Sequence, residues 1–428
     1  MKYLFYNKRI RLGWGVFLSV VIVFMTDISV YADAPSLYAK AAVLMDGSTG
    51  RVLYGVKEDM VMPMASTTKI MTLIIALETA DLQEVVTVSK YAASMPKVHL
   101  GMREGKMYYL KDLLYSLMLE SHNDSAVAIA EHIGQKSCPE DPMAGFLYLM
   151  NEKAREIGCV NTFFLTPNGL DATIKDETDN GMEKMHSTTA KELALIMRYC
   201  LTASPKKDEF ISVTQCKTYS FNEIKLNAEG KPYYTGNRYS LVNHNALLDM
   251  MEGVVSGKTG YTGRAGYCYI GAVERGGNLY IVALLACGWP NHKNYKWSDM
   301  KAVISFAEKN YSYEMFKKPE QLSIPNTITV TDACTENPEK KMEIPLALKK
   351  HDDISFEGMV LSGNEKVEIE IDCQKTCKAP VKMNQKVGTI LYKLDGNVYC
   401  SYDIVTEEKA DKINFAWCLK KIADIFWI

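Results

Sequence analysis

"PMASTTKIMTLIIALE", Pro63–Glu78, is the stretch on which the fold turns. A small polar cluster opens a run of Ile70, Met71, Leu73, Ile74, Ile75 and Leu77, spaced as on a helix. A run this apolar belongs in a core. Lys69 at its head is expensive there unless its charge is paired or its pKa is lowered. Ser66 stands one helical turn earlier, so the two side chains share a face. A desolvated amine beside a hydroxyl is a base beside a nucleophile.

On the N-terminal side, "YAKAAVLMDGSTGRVLYGVKED" predicts two strands, Ala39–Met45 and Arg51–Val56, joined by a Gly-rich turn. On the C-terminal side, "YLKDLLYSLMLE" and "DSAVAIAEHIG" predict helices broken by the polar "SHN". "MAGFLYLMNEKAREIG" and "TTAKELALIMRYCL" predict two amphipathic helices, the second capped by Thr188 or Thr189. "GVVSGKTGYT" and "GYCYIGAVERGGNLYIVALLACG" then predict antiparallel strands, and "SDMKAVISFAEKNY" a last helix. A first domain, 33–312, is therefore expected to have strands from both of its ends and a helical middle. From 320 to 406 short alternating strands, such as "KVEIEID" and "VYCSYDIV", predict a small β domain.

The two termini read differently. Lys2, Lys8, Arg9 and Arg11 precede an apolar stretch, Leu12–Met25, followed by "SVYADAP" with Val30 and Ala32 at small-residue positions. Residues 1–32 are expected to be a secretory signal cleaved after Ala32, the apolar run being short for a bilayer span; the alternative is an uncleaved anchor helix, and on either reading the bulk of the protein is exported. In "ADKINFAWCLKKIADIFWI", Phe415, Leu419, Ile422 and Phe426 share one helical face, and Trp417 and Trp427 add interfacial character. Residues 410–428 are expected to form an amphipathic helix lying on a membrane surface; the alternative is a helix docked on its own domain.

Composition narrows the classes. The chain of 428 residues is 47% hydrophobic and 23% charged, which suits a globular protein of two or three domains. A net charge of -2 gives no general attraction to nucleic acid. Eleven cysteines is an odd number, and Cys159, Cys200, Cys268 and Cys287 sit singly in apolar surroundings, as buried free thiols do. Cys373 and Cys377 are near enough in sequence for a local bridge. Without a CxxC pair or HExxH, no metal or other cofactor is expected.

Three short motifs carry the chemistry. Ser66–Lys69 is an SxxK tetrad; Ser94–Lys97 and Ser204–Lys207 match it too, but contain proline and lead into no long apolar helix. Ser121-His122-Asn123 is an SxN triplet between two helices, and its Asn123, Asp124 and Ser125 serve equally well as caps for the second helix. His122 is expected to face solvent. Lys258-Thr259-Gly260 occurs once, on a predicted strand where glycine allows a bound chain to come close.

SxxK, SxN and KTG in that order are the elements of the penicillin-recognising serine acyltransferases. With "LMDGSTGRVLYG", "TPNGLD" and "GKTGYTGRAGY", the chain resembles the D-alanyl-D-alanine carboxypeptidases, the low-molecular-mass penicillin-binding proteins. The resemblance implies an α/β (α+β) catalytic domain of the β-lactamase/transpeptidase kind, an antiparallel sheet with a helical subdomain, followed by the all-β domain and terminal helix. It implies Ser66 as nucleophile, Lys69 as base and Ser121 as proton carrier. Asn123, Lys258, Thr259, Gly260 and Tyr261 would bind substrate, with the backbone N–H groups of Ser66 and Tyr261 as oxyanion hole. Lys296 or Arg264 would help to read a carboxylate. The implied partners are peptidoglycan stem peptides ending in D-Ala-D-Ala, β-lactams and a membrane surface. A serine β-lactamase shares the motifs, but Glu177 is the nearest candidate for its deacylating carboxylate and lacks a supporting pattern. A catalytically weak wall-binding scaffold is the other alternative.

Overall fold

The computed structural model describes residues 34–176, 181–336 and 341–426; the expected signal peptide, Glu177 and Trp427 lie outside the described residues. β1 (Ala41–Asp46) is buried along its whole length, and β2 (Val52–Val56) returns beside it. Asp46 shapes the turn between them: its carboxylate accepts from the Ser48 N–H at 3.0 Å and the Thr49 hydroxyl at 2.6 Å. A 3-10 turn, Ala65–Thr68, leads into α1 (Lys69–Thr79). The helical body follows: β3 (Val85–Thr87), α2 (Lys90–Ala93), β4 (Met107–Tyr109), α3 (Leu110–Leu119), α4 (Asn123–Ser137) and α5 (Pro142–Ile157). The short hairpin of β5 (Thr173–Asp176) and β6 (Met182–Met185) precedes α6 (Ala190–Arg198) and α7 (Lys207–Gln215). Thr189 is the N-cap of α6, accepting from the Glu192 N–H. β7 (Thr218–Leu226) and β8 (Pro232–Val242) form a long hairpin that the sequence reading did not anticipate; it joins the short strands in a sheet ordered β3-β4-β7-β8.

After α8 (Leu247–Met250) come β9 (Val254–Thr262), β10 (Gly266–Arg275), β11 (Asn278–Leu285) and α9 (Tyr295–Asn310). The central sheet runs β2-β1-β11-β10-β9, so its first and last strands in chain order are neighbours, Ala41 opposite Leu285 and Asp46 opposite Tyr280. Both faces of this sheet are covered. Val43, Met45, Ile281 and Ala283 point toward α1 and the helical body, while Leu44, Val282 and Leu284 meet Met300, Val303 and Ile304 of α9. The period-two alternation of side chains makes this division. α1 is buried from Lys69 through Leu77 and lies at the centre of the larger core. Cutting one of its leucines or isoleucines to alanine would cost about 2–5 kcal/mol.

β12 (Tyr311–Met315) follows α9 directly and leads into β13 (Thr327–Thr331), β14 (Met342–Ser355), β15 (Gly358–Ser362), β16 (Glu368–Cys373), β17 (Thr376–Lys378), β18 (Lys386–Leu394) and β19 (Asn397–Thr406). Six of them form the sheet β16-β18-β19-β14-β13-β17, and β12 pairs with β15. Ile328, Val330, Ile344, Ile390 and Ile404 fill a core of their own. Arg51 ties β2 to this part: it donates to the Val360 carbonyl at 2.7 Å and forms a two-pronged ion pair with Glu365. All eleven cysteines are free thiols, so the local Cys373–Cys377 bridge is not formed. α10 (Phe415–Phe426) ends the described chain, with Phe415, Leu419, Ile422 and Phe426 exposed and Trp417 and Cys418 half-buried. Among the described residues no helix is long and apolar enough to cross a membrane.

Candidate active site

Ser66 lies inside the 3-10 turn, half-buried, with Lys69 one turn on and fully buried. Lys69 Nζ is 2.8 Å from Ser66 Oγ, 3.0 Å from Asn123 Oδ1 and 2.6 Å from the Asn168 carbonyl. Asn123 is oriented by its own amide, whose Nδ2 donates to the Pro96 carbonyl at 3.2 Å, leaving Oδ1 for the lysine. Two of the three partners of Lys69 can therefore only accept, and the third is a hydroxyl that can do either. A neutral amine, with two N–H groups and one lone pair, satisfies all three while taking the serine proton. Its pKa is held well below the usual lysine range, first by burial and then by the nearby positive Lys258, against an opposing pull from Asp124.

The two serines stand on strained backbone. Ala65, just before Ser66, has φ +49, and Ser121 has φ +65. The left-handed region costs a residue with a Cβ roughly 1–2 kcal/mol, and such strain collects where a side chain must be aimed. Ser121 Oγ is buried with no hydrogen-bond partner among the described residues. Its loop is pinned on one side by the His244 N–H, which donates to the Leu119 carbonyl at 2.9 Å. On the other side the Asn123 N–H donates to the Val98 carbonyl at 2.8 Å. Buried Asp124 holds the facing segment, accepting from the N–H groups of Leu100, Gly101 and Met102 at 2.9–3.1 Å.

β9 closes the site. Gly260 lies so near the turn that a Cβ on it would fall 2.8 Å from Ser66 N and 3.1 Å from Thr67 N. Lys258 is buried, donates to the Thr259 carbonyl at 3.0 Å, and is pushed down to about 7 by burial. Ser66, Ser121, Thr259, Gly260, Tyr261 and Lys296 line one groove of 640 Å³, with Lys69 and Asn123 bonded beneath it. Lys296 reaches it from α9, half-enclosed by Tyr267 and Trp297 at 4.8 and 4.7 Å from their ring centres, and burial lowers its pKa.

Arg264 is not brought there. The turn after β9 carries it to the surface, where it is exposed and donates to Thr173 Oγ1 at 3.3 Å. His122 also departs from expectation: it is buried, not solvent-facing. Ser116 Oγ at 2.8 Å and Glu120 at 3.3 Å satisfy its two ring nitrogens, which makes burial tolerable, and burial lowers its pKa. Sequence reasoning assigned no role to Asn168 of "TPNGLD", whose contribution is a backbone carbonyl. That loop is fastened to α1 by the Thr72 hydroxyl, which donates to the Pro167 carbonyl at 2.6 Å. At Gly169, with φ +84, a Cβ would lie 2.1 Å from the Ala65 carbonyl oxygen, so only glycine fits.

The family profile described as D-alanyl-D-alanine carboxypeptidase matches residues 28–287. The chain belongs to this family. It is thus a serine peptidase, a hydrolase of the D-Ala-D-Ala carboxypeptidase, penicillin-binding kind. A second profile, penicillin-binding protein 5, C-terminal domain, matches residues 339–412. The chain is 28% identical over 388 residues to D-alanyl-D-alanine carboxypeptidase DacF of Bacillus subtilis, covering 90% of this chain and 88% of that one. Among solved structures it is similar to the Streptomyces K15 DD-transpeptidase, with TM-score 0.54 and 26% identity, over 64% of this chain and 98% of that one. The D-alanyl-D-alanine carboxypeptidase of Mycobacterium tuberculosis H37Rv matches with TM-score 0.53 and 25% identity, over 65% and 93% of the two chains.

Proposed function

We propose that this carboxypeptidase removes the terminal D-alanine of peptidoglycan stem peptides through an acyl-enzyme on Ser66. Lys69 takes the Ser66 proton as Oγ bonds to the carbonyl carbon between the two D-alanines. The backbone N–H groups of Ser66 and Tyr261 receive the oxyanion. The carbon–nitrogen bond breaks as Ser121 delivers a proton to the departing amine, and Ser121 recovers it from Lys69. Water then attacks the ester, again with Lys69 as base, releasing the shortened peptide and restoring Ser66. Lys258 and Thr259 hold the substrate carboxylate, with Lys296 as a second cation at the groove; Arg264 has no part. A β-lactam would acylate Ser66 in the same way.

The observation that supports this most is the surroundings of Lys69: fully buried, two acceptors and one hydroxyl within 3.0 Å, and a pKa held low. The test is mass spectrometry of the protein with penicillin, wild type beside Ser66→Ala. One added drug mass on a peptide containing Ser66, absent from the variant, is expected; an adduct that persists in the variant refutes the nucleophile.

Export after loss of residues 1–32 would place the enzyme outside the cytoplasm, where its substrate lies. The division proposed is a catalytic domain over 33–312, a β domain over 320–406 and a membrane-surface helix over 410–428. The exposure of Phe415, Leu419, Ile422 and Phe426, which share one face of α10, supports the last of these.

A further inference from the structure

Behind the nucleophile runs a chain of buried polar groups that the mechanism above does not use. The Leu165 N–H donates to His186 Nδ1 at 3.0 Å. A backbone amide can only donate, so Nδ1 carries the lone pair and the proton of the neutral ring sits on Nε2. Nε2 lies 2.8 Å from Thr68 Oγ1, which therefore accepts. The Thr68 proton is left to donate to the Ala65 carbonyl, 2.8 Å away. Each role forces the next. His186 and Thr68 are both buried, and burial with the nearby Lys69 pushes the imidazole down to about 3, so the ring stays neutral and the direction of every bond is fixed.

The far end of this chain is Ala65, whose left-handed backbone, φ +49, sets the direction of Ser66. We propose that His186 is a positioning residue for the acylation step: through Thr68 it locks the Ala65 carbonyl, and with it the turn that aims Ser66 Oγ at the substrate carbonyl. It donates no proton to substrate and touches none. The inference deepens the Ser66 assignment and rests on it. A core histidine that merely satisfies its neighbours would affect stability; a positioning histidine affects the rate at which bound substrate reacts.

The test is acylation by a fluorescent penicillin, resolved into the dissociation constant of the first complex and the maximal acylation rate, with melting temperatures measured alongside. Thr68→Val removes the hydroxyl at constant shape. His186→Asn keeps an acceptor for Leu165 but loses the donor to Thr68. Each is expected to slow maximal acylation by about 10-fold or more, with the dissociation constant unchanged within about twofold. His186→Gln, whose terminal amide reaches the Nε2 position, and Thr68→Ser are expected to stay within about threefold of wild type. The double variant of Thr68→Val with His186→Asn should be no slower than the slower single one, because both cut the same chain. Folded Thr68→Val and His186→Asn with wild-type acylation rates, or losses that multiply in the double variant, would overturn the inference. If the wild type itself forms no adduct on Ser66, the parent assignment fails instead.

Discussion

Gly260→Ala probes how closely the β9 strand must approach the nucleophile. The glycine has no positive φ to protect, so alanine can adopt its backbone conformation. What it lacks is room. The new Cβ would lie 2.8 Å from Ser66 N, 3.0 Å from Ala65 Cβ and 3.1 Å from Thr67 N, and two of these neighbours are backbone atoms with no freedom to swing aside. Restoring ordinary contact opens the gap between β9 and the turn by roughly 0.6 Å, with a packing cost of about 1–3 kcal/mol. The N–H groups of Ser66 and Tyr261, proposed above as the oxyanion donors, belong to the two sides of that same gap. A misplacement of about 1 Å can cost 10²-fold in rate, so roughly 10- to 100-fold slower acylation is expected, or about 1.4–2.7 kcal/mol of barrier. Stopped-flow acylation by a fluorescent penicillin measures it, with urea denaturation as the stability control. A variant that keeps wild-type acylation would mean that the spacing between strand and turn does not govern the chemistry.

Four further outcomes are expected. Burial pushes Lys258 down to about 7, so raising pH through that value would remove the charge proposed to draw the substrate carboxylate; kcat/KM for a diacyl-D-Ala-D-Ala peptide should fall on the alkaline side. In Lys258→Arg this limb should move beyond the measured range, and an unmoved limb assigns it to another group. The folded chain binds fewer protons than the unfolded one between about 7 and the ordinary lysine value, so this lysine makes stability rise with pH across that window. Asp124→Asn, which leaves two backbone N–H donors facing an amide NH₂ whichever way the side chain turns, should cost about 2–4 kcal/mol by urea denaturation; a loss under about 1 kcal/mol would refute this role. Replacing Phe415 and Phe426 with serine in the full chain should cut co-sedimentation with phospholipid vesicles by about 10-fold or more, and unchanged binding would place membrane contact elsewhere.

Much of this architecture was open to reading because it rests on local pattern. The apolar run Ile70–Leu77, at helical spacing, announces a buried helix, and the near-continuous apolar runs "AAVLMD" and "YIVALL" fit strands with both faces covered. The hairpin of β7 and β8 escaped notice, although "NAEGK" marks its turn, because its residues are mostly exposed and carry little apolar alternation. Ser66, Lys69, Ser121, Asn123 and Lys258 stood out because their chemistry is in their side chains. Asn168 did not, since what it offers is a carbonyl that every residue possesses. Arg264 and Lys296 could not be ranked, because a turn after β9 removes one and the packing of α9 presents the other.

Local periodicity and the order of three short motifs thus determine the helices, most strands and the family. Only the tertiary structure decides that burial drives the Lys69 pKa down, that His122 is enclosed, and that His186 reaches the turn before Ser66. The physical reason is distance along the chain. Desolvation, left-handed backbone and hydrogen bonds between residues a hundred positions apart are properties of the packed molecule, and no neighbouring residue encodes them.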